Sequence, residues 1–181
     1  GAKVNLQSSD GGTALMFAAC YGHERVVHLL IRHGAEISLL NIDGSSVLMI
    51  AARSGHERVV DLLIQRGAEI NLQASDGLTA LMSAAIHGAA AIVTRLLREG
   101  ADTRLRSAVG RSALQHAKEN GHSACVEAFR QHIAEVTASR REAAAGGAGG
   151  ACSGEAAAGA RAAASSGSLL GSLPTEAEAP R

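Results

Sequence analysis

Eight histidines and three cysteines carry most of the chemistry this chain could do. Cys20-x-x-His23 and His122-x-x-Cys125 each bring a thiol and an imidazole close together. Each offers two ligands, whereas a structural zinc site takes about four. His23, His56 and His122 recur at one position, just after a glycine. Recurrence at a fixed structural position points to a local capping role in preference to acid–base or metal chemistry. No Ser, His and Asp arrangement has the setting of an activated nucleophile. The glycine-rich C-terminal stretch lacks the Gly-Lys-Ser/Thr ending of a phosphate loop. No catalytic residue, metal or cofactor is expected.

What positions these residues is a repeat. Asp10 to Ile42 reads DGGTALMFAACYGHERVVHLLIRHGAEISLLNI, Asp43 to Ser75 reads DGSSVLMIAARSGHERVVDLLIQRGAEINLQAS, and Asp76 to Ala108 reads DGLTALMSAAIHGAAAIVTRLLREGADTRLRSA. A period of 33 residues signals a solenoid, in which each unit buries its apolar face only against its neighbours. Such an array offers a long ridged surface without an enclosed pocket.

Within each block the order is turn, helix, tight turn, helix, loop. Asp-Gly opens it, because glycine accepts positive φ. Thr13, Ser46, Thr79 and Ser112 stand where a helix N-cap belongs, each hydroxyl worth about 1 kcal/mol. Leu15, Ala18 and Ala19, repeated as Leu48, Ala51 and Ala52, face inward on a short first helix that Gly22, Gly55, Gly88 and Gly121 end. The second helix carries Val26, Val27, Leu29, Leu30 and Ile31, then Val59, Val60, Leu62, Leu63 and Ile64, then Ile92, Val93, Leu96 and Leu97. Steps of three and four put these on one broad apolar face. Gly34, Gly67 and Gly100 stop that helix. An extended arm leads to the next Asp-Gly.

The recurring words DG-x-T-A-L, AA-x-x-GH, VV-x-LL and GAEIN resemble ankyrin repeats over residues 1 to about 141. The resemblance implies an all-α, ankyrin-type solenoid of stacked helix-turn-helix units with projecting β-hairpin fingers. It departs from the family's T-P-L-H, which stands here as T-A-L-M, S-V-L-M, T-A-L-M and S-A-L-Q. Met16, Met49, Met82 and Gln115 replace the histidine that ties neighbouring repeats, so packing is expected to hold the array more than polar ties do. The third block replaces His-Glu with Ala89-Ala90, which should weaken the start of its second helix.

The two ends differ. Gly1 to Leu6 aligns with Gly67 to Leu72, so residues 1–9 read as the end of a preceding repeat whose helices are missing. The apolar flank of the first full repeat should then lie uncovered, as in a fragment of a longer array. Full repeats occupy 10–42, 43–75 and 76–108, and a capping repeat 109–142. In the cap, Val126, Phe129, Ile133 and Val136 keep one helix face apolar, with Arg130, Gln131, His132 and Glu135 on the others. Residues 143–181 are rich in Ala, Gly and Ser and read as a disordered tail or linker. In it, Leu169, Leu170 and Leu173 form an apolar island, read as chance composition over a binding motif.

Composition narrows the class further. Apolar residues make 46% of the chain but aromatics only 2%, so the core must be aliphatic. Acids and bases balance at 17 each, and nothing global points to nucleic acid or a membrane. No apolar run nears the roughly 20 residues of a bilayer span. Cys20, Cys125 and Cys152 are odd in number and unlike in context. They suggest a reducing, intracellular setting, cytoplasmic or nuclear. Arg95, Arg98, Arg104, Arg106 and Arg111 cluster around the last finger. They read as a solvated hairpin, with docking of an acidic partner the other possibility.

Repeat proteins bind through positions that vary while the frame stays fixed. The family resemblance places these at the fingertips and the exposed ends of the first helices. The candidate partner-binding residues are Ser9, Asp10, Gly12, Cys20 and Tyr21; Ile42, Asp43, Ser45, Arg53 and Ser54; Ser75, Asp76, Leu78, Ile86 and His87; and Val109, Arg111, Glu119 and Asn120. Tyr21, Ile42, Leu78 and Ile86 are the expected apolar anchors; Ile42 and Leu78 have packing on neighbouring fingers as an equal alternative. Asp10, Asp43 and Asp76 also hold their turns. The expected function is a monomeric, non-enzymatic module that presents a concave surface to a protein partner, without nucleic acid, membrane or small-molecule substrate. The alternative is a regulatory or targeting segment of a larger enzyme, channel or ubiquitin-ligase adaptor.

Overall fold

Each unit begins with a hydroxyl that satisfies an orphan amide. The hydroxyl oxygens of Thr13, Ser46, Thr79 and Ser112 accept from the backbone N–H of Met16, Met49, Met82 and Gln115. Behind them run α1 (Ala14–Cys20), α3 (Val47–Ser54), α5 (Ala80–Ile86) and α7 (Ala113–Glu119). Gln115 also returns its side chain to the Ser112 N–H, completing a capping box. The second helices are α2 (Glu24–Arg32), α4 (Glu57–Gln65), α6 (Ala90–Arg98) and α8 (Ser123–Gly146). The computed structural model describes residues 3–146.

The helices stack in two rows. α1, α3, α5 and α7 pack in sequence, as do α2, α4, α6 and α8, and each pair closes its own hairpin. The first row is dense with alanine. Ala19, Ala51, Ala52, Ala84, Ala85 and Ala117 are fully buried, and small side chains let these backbones approach. The second row supplies Val27, Val60, Leu63, Val93 and Leu96 to the same interior.

The flank before the first repeat is uncovered. Val59 is 1% exposed, while its counterpart Val26 is 44% exposed and Leu29 53%. Phe17 is exposed where Ile50 and Ser83 are buried.

Replacing His-Glu by Ala89-Ala90 does not alter the geometry or length of the start of α6. Ala89 has the same backbone as His23, with φ −78° and ψ 72°, and α6 matches α2 and α4 at 9 residues. The cap also differs from expectation. Phe129 is buried, but Ile133 and Val136 are exposed. α8 packs on α6; its 24 residues span about 36 Å, against about 14 Å for α6. It outruns the helix that would cover it. α8 also continues to Gly146, past the boundary placed at Glu142. The rest of the segment read as a tail, with Cys152 and the Leu169–Leu173 island, lies outside the described residues.

The fingers are tight turns. Single antiparallel bridges join Gln7 to Thr13 and Leu40 to Ser46. Adjacent fingertips are linked through the backbone: the N–H of Ile42, Ser75 and Ala108 donates to the carbonyl of Asp10, Asp43 and Asp76 at 3.1, 2.9 and 2.7 Å.

Candidate partner-binding ridge

The turn chemistry sets the fingertips. Asp10 accepts from the Ser8 hydroxyl and from the Gly12 N–H at 3.5 Å, which holds its carboxyl below the usual range, Ser8 contributing most. The Asp76 carboxylate accepts from the Leu78 N–H at 2.9 Å. In the second finger the role passes to Asn41, whose Oδ1 accepts from the N–H of Asp43 at 3.1 Å and of Ser45 at 2.7 Å. Asp43 is therefore not the residue that organises its turn.

Three of the first helices end in residues at the same repeat position. Tyr21, His87 and Asn120 are C-caps of α1, α5 and α7 and are exposed. Tyr21 is 69% exposed, its ring 6.2 Å from that of His23. Arg53 is exposed and makes no ion pair among the described residues. Ser45, Arg53, Asp76, Leu78, Ile86 and His87 come together around one notch of about 60 Å³ between the second and third repeats. Leu78 and Ile86 are half-buried there. At the fourth repeat Arg111 pairs with Glu119 at 2.9 Å.

Other candidates sit differently. Gly12 is buried, not presented: a Cβ there would stand 3.0 Å from the Phe17 ring and from the Ser8 hydroxyl. Cys20 and Ser54 are half-buried, the Ser54 hydroxyl donating to the Cys20 sulfur at 3.7 Å. Ser9, Asp10, Asp43, Ser75 and Asp76 are exposed, as are Ile42 and Val109 at 70% and 69%.

The recurring histidines do not cap their helices. His23 and His56 precede α2 and α4 without a side-chain cap bond. His56 Nε2 instead donates to the Cys20 carbonyl at 2.9 Å, and His122 Nε2 to the Ile86 carbonyl at 2.8 Å. Each reaches back into the preceding repeat. Among the described residues, no group of three or more His, Cys, Asp or Glu side chains gathers to hold a metal ion.

The arms are tied as well. Gln7 Nε2 donates to the Leu40 carbonyl at 3.0 Å and Gln73 Nε2 to the Arg106 carbonyl at 2.9 Å. Polar ties between neighbours are therefore more numerous than the missing family histidine suggested. The 5–7 and 71–73 words Asn-Leu-Gln, two periods apart, were the signal for them.

The basic cluster is partly occupied internally. Arg95 pairs with Asp61 and Glu99, and Arg104 with Asp102. Arg106 donates to the Gly110 carbonyl and to Gln115. Arg98 makes no ion pair among the described residues, and the partners of Arg106 are neutral, so these two keep their charge.

No helix among the described residues is long and apolar enough to cross a membrane. A family model for ankyrin repeats, in three copies, matches residues 1–74 and 59–140. A comparison with curated proteins gives no match.

Proposed function

We propose, from the premise that this chain belongs to the ankyrin repeat family, that it binds a protein partner along the ridge of capping residues on its first helices. Such repeats are generally protein–protein interaction modules. The observation that carries the reading is the exposure of Tyr21 and Arg53, whose side chains make no hydrogen bond or ion pair among the described residues; His87, also exposed, donates from Nδ1 to the Ser83 carbonyl at 2.9 Å. Tyr and Arg are the side chains that most often anchor interfaces. A ridge mounted on helix ends costs little to order on binding.

The test is capture of a partner by the wild-type chain and by Tyr21→Glu with Arg53→Glu. Ile86 is the poorer choice, because it is half-buried and a charge there would burden the fold. Loss of capture with unchanged melting supports the ridge. Undiminished capture places the interface elsewhere.

A further inference from the structure

Two asparagines bridge neighbouring arms in the same way. Asn5 Nδ2 donates to the Gly34 carbonyl at 3.3 Å and to Glu36 Oε1 at 3.0 Å, and its Oδ1 accepts from the Glu36 N–H at 2.9 Å. Asn71 repeats this two periods on, donating to the Gly100 carbonyl at 3.4 Å and accepting from the Asp102 N–H at 2.8 Å. Between them stands Ser38. Its hydroxyl makes no such bridge, and the matching groups, the Gly67 carbonyl and the Glu69 N–H, stand on exposed residues and have no protein partner among the described residues. Two residues on, the same loss recurs: Leu40 replaces Gln7 and Gln73.

The missing side chains leave space. The arms at 35–40 and 67–72 open into a cleft of about 460 Å³, walled by Ile37, Leu40, Val47, Ala68 and Leu72, with Ser38, Gly67 and Glu69 in its lining. That volume is within the range of about 300–1,000 Å³ found for ligand sites.

We infer that this cleft is a second docking site, and that it takes the primary carboxamide of an Asn or Gln side chain on an extended, aliphatic-flanked segment of a partner protein. The bonding pattern selects that group. A carboxamide supplies N–H for the Gly67 carbonyl and the Glu69 carboxylate, and an oxygen for the Glu69 N–H. A carboxylate has no hydrogen for the carbonyl and meets the charges of Glu36 and Glu69. An ammonium has no acceptor for the N–H. The chain's own Asn5 and Asn71 show the same bonds made at the flanking arms. The aliphatic walls take the neighbours of the carboxamide and shield its bonds from water.

The site shares no residue with Tyr21 or Arg53, so it stands or falls apart from the ridge. The probe is the peptide acetyl-Leu-Asn-Leu-amide, titrated to several millimolar into the ¹⁵N-labelled chain. The Glu69 amide resonance should shift and saturate. The Leu-Asp-Leu analogue should bind at least about tenfold more weakly. Ser38→Asn should remove the shift, because its own side chain then occupies the Gly67 and Glu69 groups, and it should melt no lower than wild type. Leu40→Glu, which sets a charge in the wall, should weaken the Asn peptide about tenfold or more whether or not the first variant folds. Tyr21→Glu with Arg53→Glu should leave the shift in place. A Glu69 amide that does not move, equal binding of the two peptides, or undiminished binding by Leu40→Glu would overturn the inference.

Discussion

The imidazole of His56 lies over Gly22, one repeat back. Nε2 donates to the Cys20 carbonyl at 2.9 Å, and a Cβ added to Gly22 would stand 2.5 Å from Nδ1. His122 lies over Gly88 in the same way, at 2.7 Å. Gly55, although a repeat follows it as one follows Gly22 and Gly88, has nothing within 4 Å of an added Cβ, because the residue one period after His56 is Ala89. The joint between the second and third repeats lacks the histidine latch that the joints on either side possess.

This contrast separates two costs of replacing glycine. Gly22 and Gly55 have φ of +70° and +79°, so alanine at either carries a left-handed strain of roughly 1–2 kcal/mol. At Gly22 it must also displace His56 and break the bond to Cys20. Gly22→Ala should therefore destabilise by about 1 kcal/mol more than Gly55→Ala. Urea unfolding of the two variants checks this; equal losses would show that His56 is not seated as described.

The converse change should stabilise. Ala89→His places an imidazole over Gly55, within reach of the Arg53 carbonyl, the group 36 residues back as for His56 and Cys20. One added hydrogen bond contributes about 0.5–1.5 kcal/mol, or about 2–4 °C in melting temperature per kcal/mol for a chain of this size. A calorimetric scan reads the shift, and a lower midpoint would contradict the latch.

The thiols should react unequally. Cys125 is fully buried, and burial pushes its pKa up, so at neutral pH it stays protonated and shielded. Cys20 is half-buried at the end of α1. In a Cys152→Ser background, a thiol reagent should modify Cys20 under native conditions and Cys125 only on unfolding. Prompt labelling of Cys125 would place α8 off the stack.

Much of this architecture was legible because each repeat restates it. The caps at Thr13, Ser46, Thr79 and Ser112 and the alanine row follow from local chemistry that recurs every 33 residues. Long-range ties were harder to read. His56 looks like a local cap in the linear chain, since its partner at Cys20 is 36 residues away. Gly12 looks like an exposed turn residue until the Phe17 ring is placed against it. The exposure of Ile133 and Val136 depends on α6 ending early, which their own spacing does not reveal. The Asn-Leu-Gln words were visible, but their absence at Ser38-Leu39-Leu40 gains meaning only once the arms are seen side by side.

Hydrogen exchange on the chain bound to its captured partner is the most direct test of the ridge. Protection should concentrate at the ends of α1, α3, α5 and α7, around Tyr21, Arg53, His87 and Asn120. Protection confined to α2, α4 and α6, with those helix ends unchanged, would contradict it.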